Sequence, residues 1–164
     1  MFAAHFAAGL ALEGRAPRAP LWSLLVGAFL LDFLWILFSV LGLDTTGGDE
    51  WSHSLVMAVL WSSVFASAFR RHGRAAMGAA WLAIFSHFVL DTLVQGAGLY
   101  PHAPVNLKTP PFVTSGYRWV QLALCTILLV IYARDARRLA ISPWRRTATC
   151  AIVVALNGRF LLGY

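Results

Sequence analysis

Ser86-His87-Phe88-Val89-Leu90-Asp91 sets a histidine and an aspartate four residues apart inside an apolar segment running from Ala75 to Val94. That segment is long enough to cross a bilayer, which takes about 20 residues. On a helix, positions i and i+4 lie one above the other, so the imidazole and the carboxylate converge on one face. Holding both in hydrocarbon costs several kcal/mol unless a partner or a cation compensates. The pair suits a metal ion, or a base with its orienting acid. A plain hydrogen bond between two helices is the simpler alternative.

The composition agrees with a membrane setting. Apolar residues make up 59% of the 164-residue chain and charged residues 12%, whereas soluble domains carry about a quarter charged. The formal charge of +6 does not point to nucleic acid, because the arginines cluster beside apolar spans, where they act as topology signals. Cys125 and Cys150 sit in apolar runs without C-x-x-C spacing, which indicates packed or lipid-facing thiols and neither a zinc knuckle nor a disulfide framework. Met1-Phe2-Ala3-Ala4-His5 has no positive charge ahead of its apolar part, so no cleaved signal peptide is expected.

Outward from the opening stretch, the chain reads as an all-α polytopic integral membrane bundle. It has four to five transmembrane helices and a short N-terminal helix over 1–13. The spans are expected at 21–43, 53–69, 75–94 and 117–133, with a marginal last span at 147–164. The segment 96–116 holds four of the seven prolines and reads as an outer loop that cannot be one helix. Ten of the thirteen basic residues fall at Arg15/Arg18, at Arg70/Arg71/Arg74 and between Arg134 and Arg146. These turns lie on one side if the four clear spans alternate, and the positive-inside rule makes that side cytoplasmic. Trp22 and Trp144 then mark the inner boundary, and Trp51 and Trp119 the outer one.

At 1.5 Å per residue, His5 and Asp32 lie roughly 15 and 18 Å above the inner arginines, His87 about 20 Å, and Asp91 and His53 about 25 Å. Four segments thus bring polar side chains into one band between mid-membrane and the outer surface. Asp32 is expected to pair with His5 across a hairpin at Pro17/Pro20. The serines flanking His53 suit hydrogen bonds that fix its ring. Asp44, Asp49 and Glu50 read as a solvated acidic loop, one of which could serve as a ligand or general base. His102 reads as a loop residue. A serine triad is disfavoured, because adjacent Ser86/His87 and Ser54/His53 diverge by about 100° on a helix and no G-x-S-x-G elbow is present.

With those residues in place, the chain resembles the bacterial membrane-bound metal-dependent hydrolase family, the YdjM-like group of small inner-membrane proteins. The resemblance runs from Met1 to about Pro101. It rests on His5-Phe6-Ala7, Leu30-Leu31-Asp32, Ser52-His53-Ser54-Leu55 and the Ser86-His87…Asp91 helix. The chain departs from the pattern at Leu34, near a position that is often acidic, and at Gln95-Gly96-Ala97-Gly98, where relatives continue into a further histidine-containing turn. A weaker similarity is to zinc-dependent phospholipase C enzymes.

Arginine placement and the depth count turn the site of this multi-pass chain away from the cytoplasm, and the resemblance implies that the membrane is the bacterial inner one. It also implies a divalent metal, zinc, held by some of these histidines and aspartates; the set expected is His5, His53, His87 and Asp91, with Asp32 as a further ligand or as an orienting group. A metal-activated water would hydrolyse an ester or phosphoester, with a lipid or lipid-linked substrate fitting the depth, and Asp91 or Asp49 would be the general base. The proline-rich loop, with Tyr100, Phe112 and Tyr117, would form a lid or entrance. The competing reading is a non-enzymatic metal-binding subunit. A transporter fits less well, because the cytoplasmic half of the spans offers no polar path.

Overall fold

The computed structural model describes residues 2–16, 18–43, 50–102, 106–107 and 111–162. Seven helices account for most of them: α1 (Phe2–Glu13), α2 (Leu21–Val40), α3 (Glu50–His53), α4 (Leu55–Ser67), α5 (Arg74–Gln95), α6 (Pro111–Arg138) and α7 (Pro143–Leu162). A 3₁₀ turn, Arg70–His72, joins α4 to α5. Strands β1 (Ala97–Gly98) and β2 (Asn106–Leu107) form one short antiparallel pair. Three stretches are long and apolar enough to cross a membrane: Leu21–Val40, Arg74–Leu93 and Trp119–Arg138. Helix α4 is apolar but shorter.

The short N-terminal helix is the hub of the fold. Helix α1 touches α2, α5, α6 and α7, and Ala3, Ala4, His5, Ala7, Ala8, Leu10 and Ala11 are all buried. A helix apolar all round belongs inside a protein. Its alanines and Gly9 let neighbouring backbones approach closely: a β-carbon on Gly9 would lie 3.1 Å from the Leu24 carbonyl oxygen. At the basic end, Arg145 of α7 donates to Glu13 of α1 at 2.7 Å.

Helices α2 and α5 meet in the same way. Ser23, Gly27, Ala28 and Leu31 form the buried stripe of α2, which faces Ala76, Ala79, Ala83 and Ile84 of α5. Small residues at such spacing allow two helices to pack backbone against backbone. At Gly27 an added β-carbon would sit 3.1 Å from Ala83 Cβ and 3.5 Å from both Ile84 and Phe65.

Three boundaries depart from the sequence reading. The helix expected over 53–69 is divided, because Ser54 adopts an extended conformation (φ −75°, ψ 154°) and α4 restarts behind it. The loop expected over 96–116 gives way to α6 at Pro111, and α7 likewise begins on Pro143. Proline suits the first helical position, where its missing N–H would have no partner anyway. Helix α5 stops as its pattern suggests: Gly96 turns to φ +73° and its N–H returns to the Thr92 carbonyl, the left-handed ending that glycine permits. Beyond it, the Leu99 carbonyl accepts from the Val56 N–H, and Ala97 and Leu107 pack onto the Leu31/Phe88 cluster.

Gly27→Val should lower stability by about 1–3 kcal/mol through overpacking against Ala83. Gly78→Ala, whose β-carbon meets nothing within 4 Å, should be neutral or gain up to about 1 kcal/mol of helix propensity. Thermal unfolding of the two variants checks this; equal midpoints would refute the close-approach account.

Candidate metal centre

Four of the five ligands expected from sequence converge on one point. Asp32 comes from α2, His53 from the last position of α3, and His87 and Asp91 from successive turns of α5. One ligand atom from each lies within 4.8 Å of every other, and the group could hold a metal ion. His53 Nε2 is 3.2 Å from His87 Nε2, 3.5 Å from Asp32 Oδ1 and 3.6 Å from Asp91 Oδ2. His87 Nε2 is 3.4 Å from Asp32 Oδ1 and 3.1 Å from Asp91 Oδ2. Ligands 2.0–2.1 Å from a tetrahedral zinc are separated by about 3.3–3.4 Å. These five separations bracket that value.

The outer contacts set the direction of the rings. His87 Nδ1 donates to the Ala28 carbonyl of α2 at 2.6 Å, which leaves Nε2 of the neutral ring with its lone pair directed at the cluster. His53 Nδ1 lies 2.7 Å from Ser52 Oγ; with the serine as acceptor, its Nε2 is likewise a lone-pair donor. The serine flank read from the sequence is therefore in place, on the N-terminal side. Ser54 Oγ is buried without a partner among the described residues.

His5 arrives beside the group. Its Nε2 is 3.1 Å from Asp91 Oδ1, and its ring stacks on His87 with centroids 3.9 Å apart and planes at 9°. The expected Asp32–His5 pair is replaced: the described partners of Asp32 are His53 and His87, while His5 holds Asp91. The reason is the helical register of α5. Asp91 lies one turn beyond His87 and meets α1 directly, whereas Asp32 faces α3.

His87, His5 and His53 are 1%, 2% and 8% exposed. The Asp91 side chain is 14% exposed and that of Asp32 33%, so the centre has a solvent-facing side at Asp32. Two carboxylates and two neutral imidazoles sum to a charge that one divalent cation cancels, as buried charge requires. Without a metal, the same atoms would form an imidazole–carboxylate cluster, since both carboxylates lie 3.1–3.6 Å from the two Nε2 atoms.

Asp49, expected as a general base, lies outside the described residues, as does Asp44, and the side chain of Glu50 is likewise not described. His102 stands apart, with its ring edge against Trp51 at 6.3 Å. The Ala28 carbonyl was not legible as part of the site, since nothing in a side-chain pattern marks a backbone acceptor. No protein-family model, curated protein or solved structure matches the chain.

His87→Ala should abolish divalent-metal binding. His5→Phe, which removes the hydrogen bond to Asp91 but keeps a ring on His87, should weaken it by about 10–100-fold. Zinc competition titrations of the purified variants measure both. Equal affinities for His5→Phe and the parent protein would show that His5 plays no part in holding Asp91.

Proposed function

We propose that this chain is a multi-pass protein of the bacterial inner membrane that holds one zinc ion at Asp32, His53, His87 and Asp91 and hydrolyses an ester or phosphoester. The observation that carries the reading is the His87 imidazole. With Nδ1 committed to the Ala28 carbonyl, its Nε2 lone pair is delivered to the point where His53 Nε2, Asp32 Oδ1 and Asp91 Oδ2 meet. The resemblance to the membrane-bound metal-dependent hydrolases belongs to the same proposal.

Membrane placement is supported by the three long apolar helices and by what covers them. Phe33, Ile36 and Leu37 on α2, Val56 and Leu60 on α4, and Val130 on α6 are exposed, and apolar surface on this scale suits lipid. Trp22, Trp51, Trp119 and Trp144 are exposed too, as interfacial tryptophans are. The arginine turns support a cytoplasmic basic end, with the centre toward the opposite face.

In such a set zinc supplies Lewis acidity and brings the pKa of a water toward about 7. The chain supplies the rest. Ala28 and Ser52 orient the two imidazoles. His5 holds one oxygen of Asp91, so that the other faces the centre. With both oxygens engaged, Asp91 serves as a ligand better than as the general base. Asp32 is the more exposed carboxylate and is placed to accept a proton on the open side. The β1–β2 segment lies against the Leu31/Phe88 cluster next to α5 and is suited to shape the entrance. A lipid or lipid-linked substrate fits this depth.

A second reading, a metal-stabilised scaffold without turnover, is favoured by one feature: four protein ligands can close a tetrahedron, as structural zinc sites do. Metal analysis of the purified chain should find about one zinc per molecule. Occupancy should fall as pH is lowered, because protons compete with the metal for the ligand atoms. With metal bound, hydrolysis of a nitrophenyl ester or phosphodiester that disappears in Asp32→Ala supports the enzyme. Full zinc occupancy with no turnover on either probe supports the scaffold. No zinc in the parent protein ends both readings.

A further inference from the structure

We propose that the groove between α5 and α6, floored by α1, holds an acyl chain of an anionic phospholipid whose headgroup rests on Arg15, Arg134 and Arg138. The inference rests on the membrane placement proposed above and is independent of the metal. Helix α1 packs against both α5 and α6, while its small side chains, Ala8 and Ala11, leave the space between them open. The resulting cavity is about 600 Å³ and is apolar along its length, with Gly78, Leu82 and Val89 on one wall and Leu124 and Ile127 on the other.

Its dimensions and charge select the occupant. From Ala75 to Val89 the lined stretch of α5 rises about 21 Å, and one leaflet contributes about 15 Å of hydrocarbon. A lipid chain entering at the basic end would therefore be covered over its whole leaflet. Arg15 stands at that end and is shared with a smaller hollow of about 250 Å³ lined by Arg134, Asp135 and Arg138. Arg15 and Arg138 each lie 4.0 Å from Asp135 and are largely exposed, so two guanidinium groups share one carboxylate, and Arg134 lines the same hollow. The positive excess suits a phosphodiester, which guanidinium groups bind by paired hydrogen bonds. Gly78 faces the groove with nothing within 4 Å of where its β-carbon would stand, so a bulky side chain there fills the groove without disturbing the core.

The full chain is reconstituted into vesicles of equal parts phosphatidylcholine and phosphatidylglycerol. Flotation after an alkaline wash establishes insertion, and native mass spectrometry after mild solubilisation counts the lipids retained. Phosphatidylglycerol should be retained several-fold over phosphatidylcholine. The preference should vanish in the Arg15→Gln/Arg134→Gln/Arg138→Gln variant, and retention of either lipid should fall in Gly78→Phe. Val89→Trp, at a position already exposed, fills the same groove if Gly78→Phe impairs folding. Equal retention of both lipids, or unchanged retention in the filled variants, overturns the proposal while leaving the membrane reading intact. A parent dimer that becomes a monomer on filling the groove assigns it to a second copy instead. Failure to float overturns both.

Discussion

The hydrogen bond from His87 Nδ1 to the Ala28 carbonyl is the contact on which the rest of this architecture depends. At 2.6 Å it requires the backbone of α2 to lie almost against the side chains of α5. Only small residues permit that. Gly27 on one helix and Ala83 on the other leave no room for a larger pair. The stripe of small residues thus has a chemical as well as a packing role: it brings a carbonyl to an imidazole and fixes which ring nitrogen keeps its lone pair. One turn further along each helix from this contact stand Asp32 and Asp91, so a single close approach sets three members of the cluster at once.

Helix α1 solves a different problem. Twelve residues are too few to cross a bilayer, yet the helix is largely buried and touches four others. It acts as a central post around which longer helices are arranged. Its alanines minimise its girth, Glu13 ties its end to Arg145, and His5 is delivered to Asp91 from the interior. A polar group introduced from a buried post needs no solvent path and displaces no side chain on the outside of the bundle.

Much of this was legible in the residues. The i, i+4 spacing of His87 and Asp91 fixed one face of α5. Counting rise per residue placed Asp32, His53 and His5 at compatible depths, and the serine before His53 announced its hydrogen bond. What depth cannot supply is rotation about a helix axis. Asp32 and His5 share a level but look in different directions, so the expected pair gave way to Asp32 with His53 and His87, and His5 with Asp91. Backbone acceptors and extended residues are equally silent: neither the Ala28 carbonyl nor the break at Ser54 has a side-chain signature. Pro111 falls in the segment expected as an outer loop, whereas at a first helical position proline initiates a helix, as Pro143 does for α7.

The break at Ser54 has a consequence for ion choice. Asp32, His87 and Asp91 stand on helices of 20 and 22 residues, and their spacing is inherited from tight interhelical packing that cannot yield. His53 stands on a helix of four residues, offset from α4 by one extended residue and tied to it by the bond from Trp61 Nε1 to the Trp51 carbonyl. The centre therefore has three members set by long packed helices and one set by a short helix. A cation with longer bonds would be met by a shift of α3 sooner than by spreading α2 from α5. Selectivity among divalent ions would then fall to ligand chemistry, imidazole and carboxylate against the available metals, more than to the rigidity of the bundle.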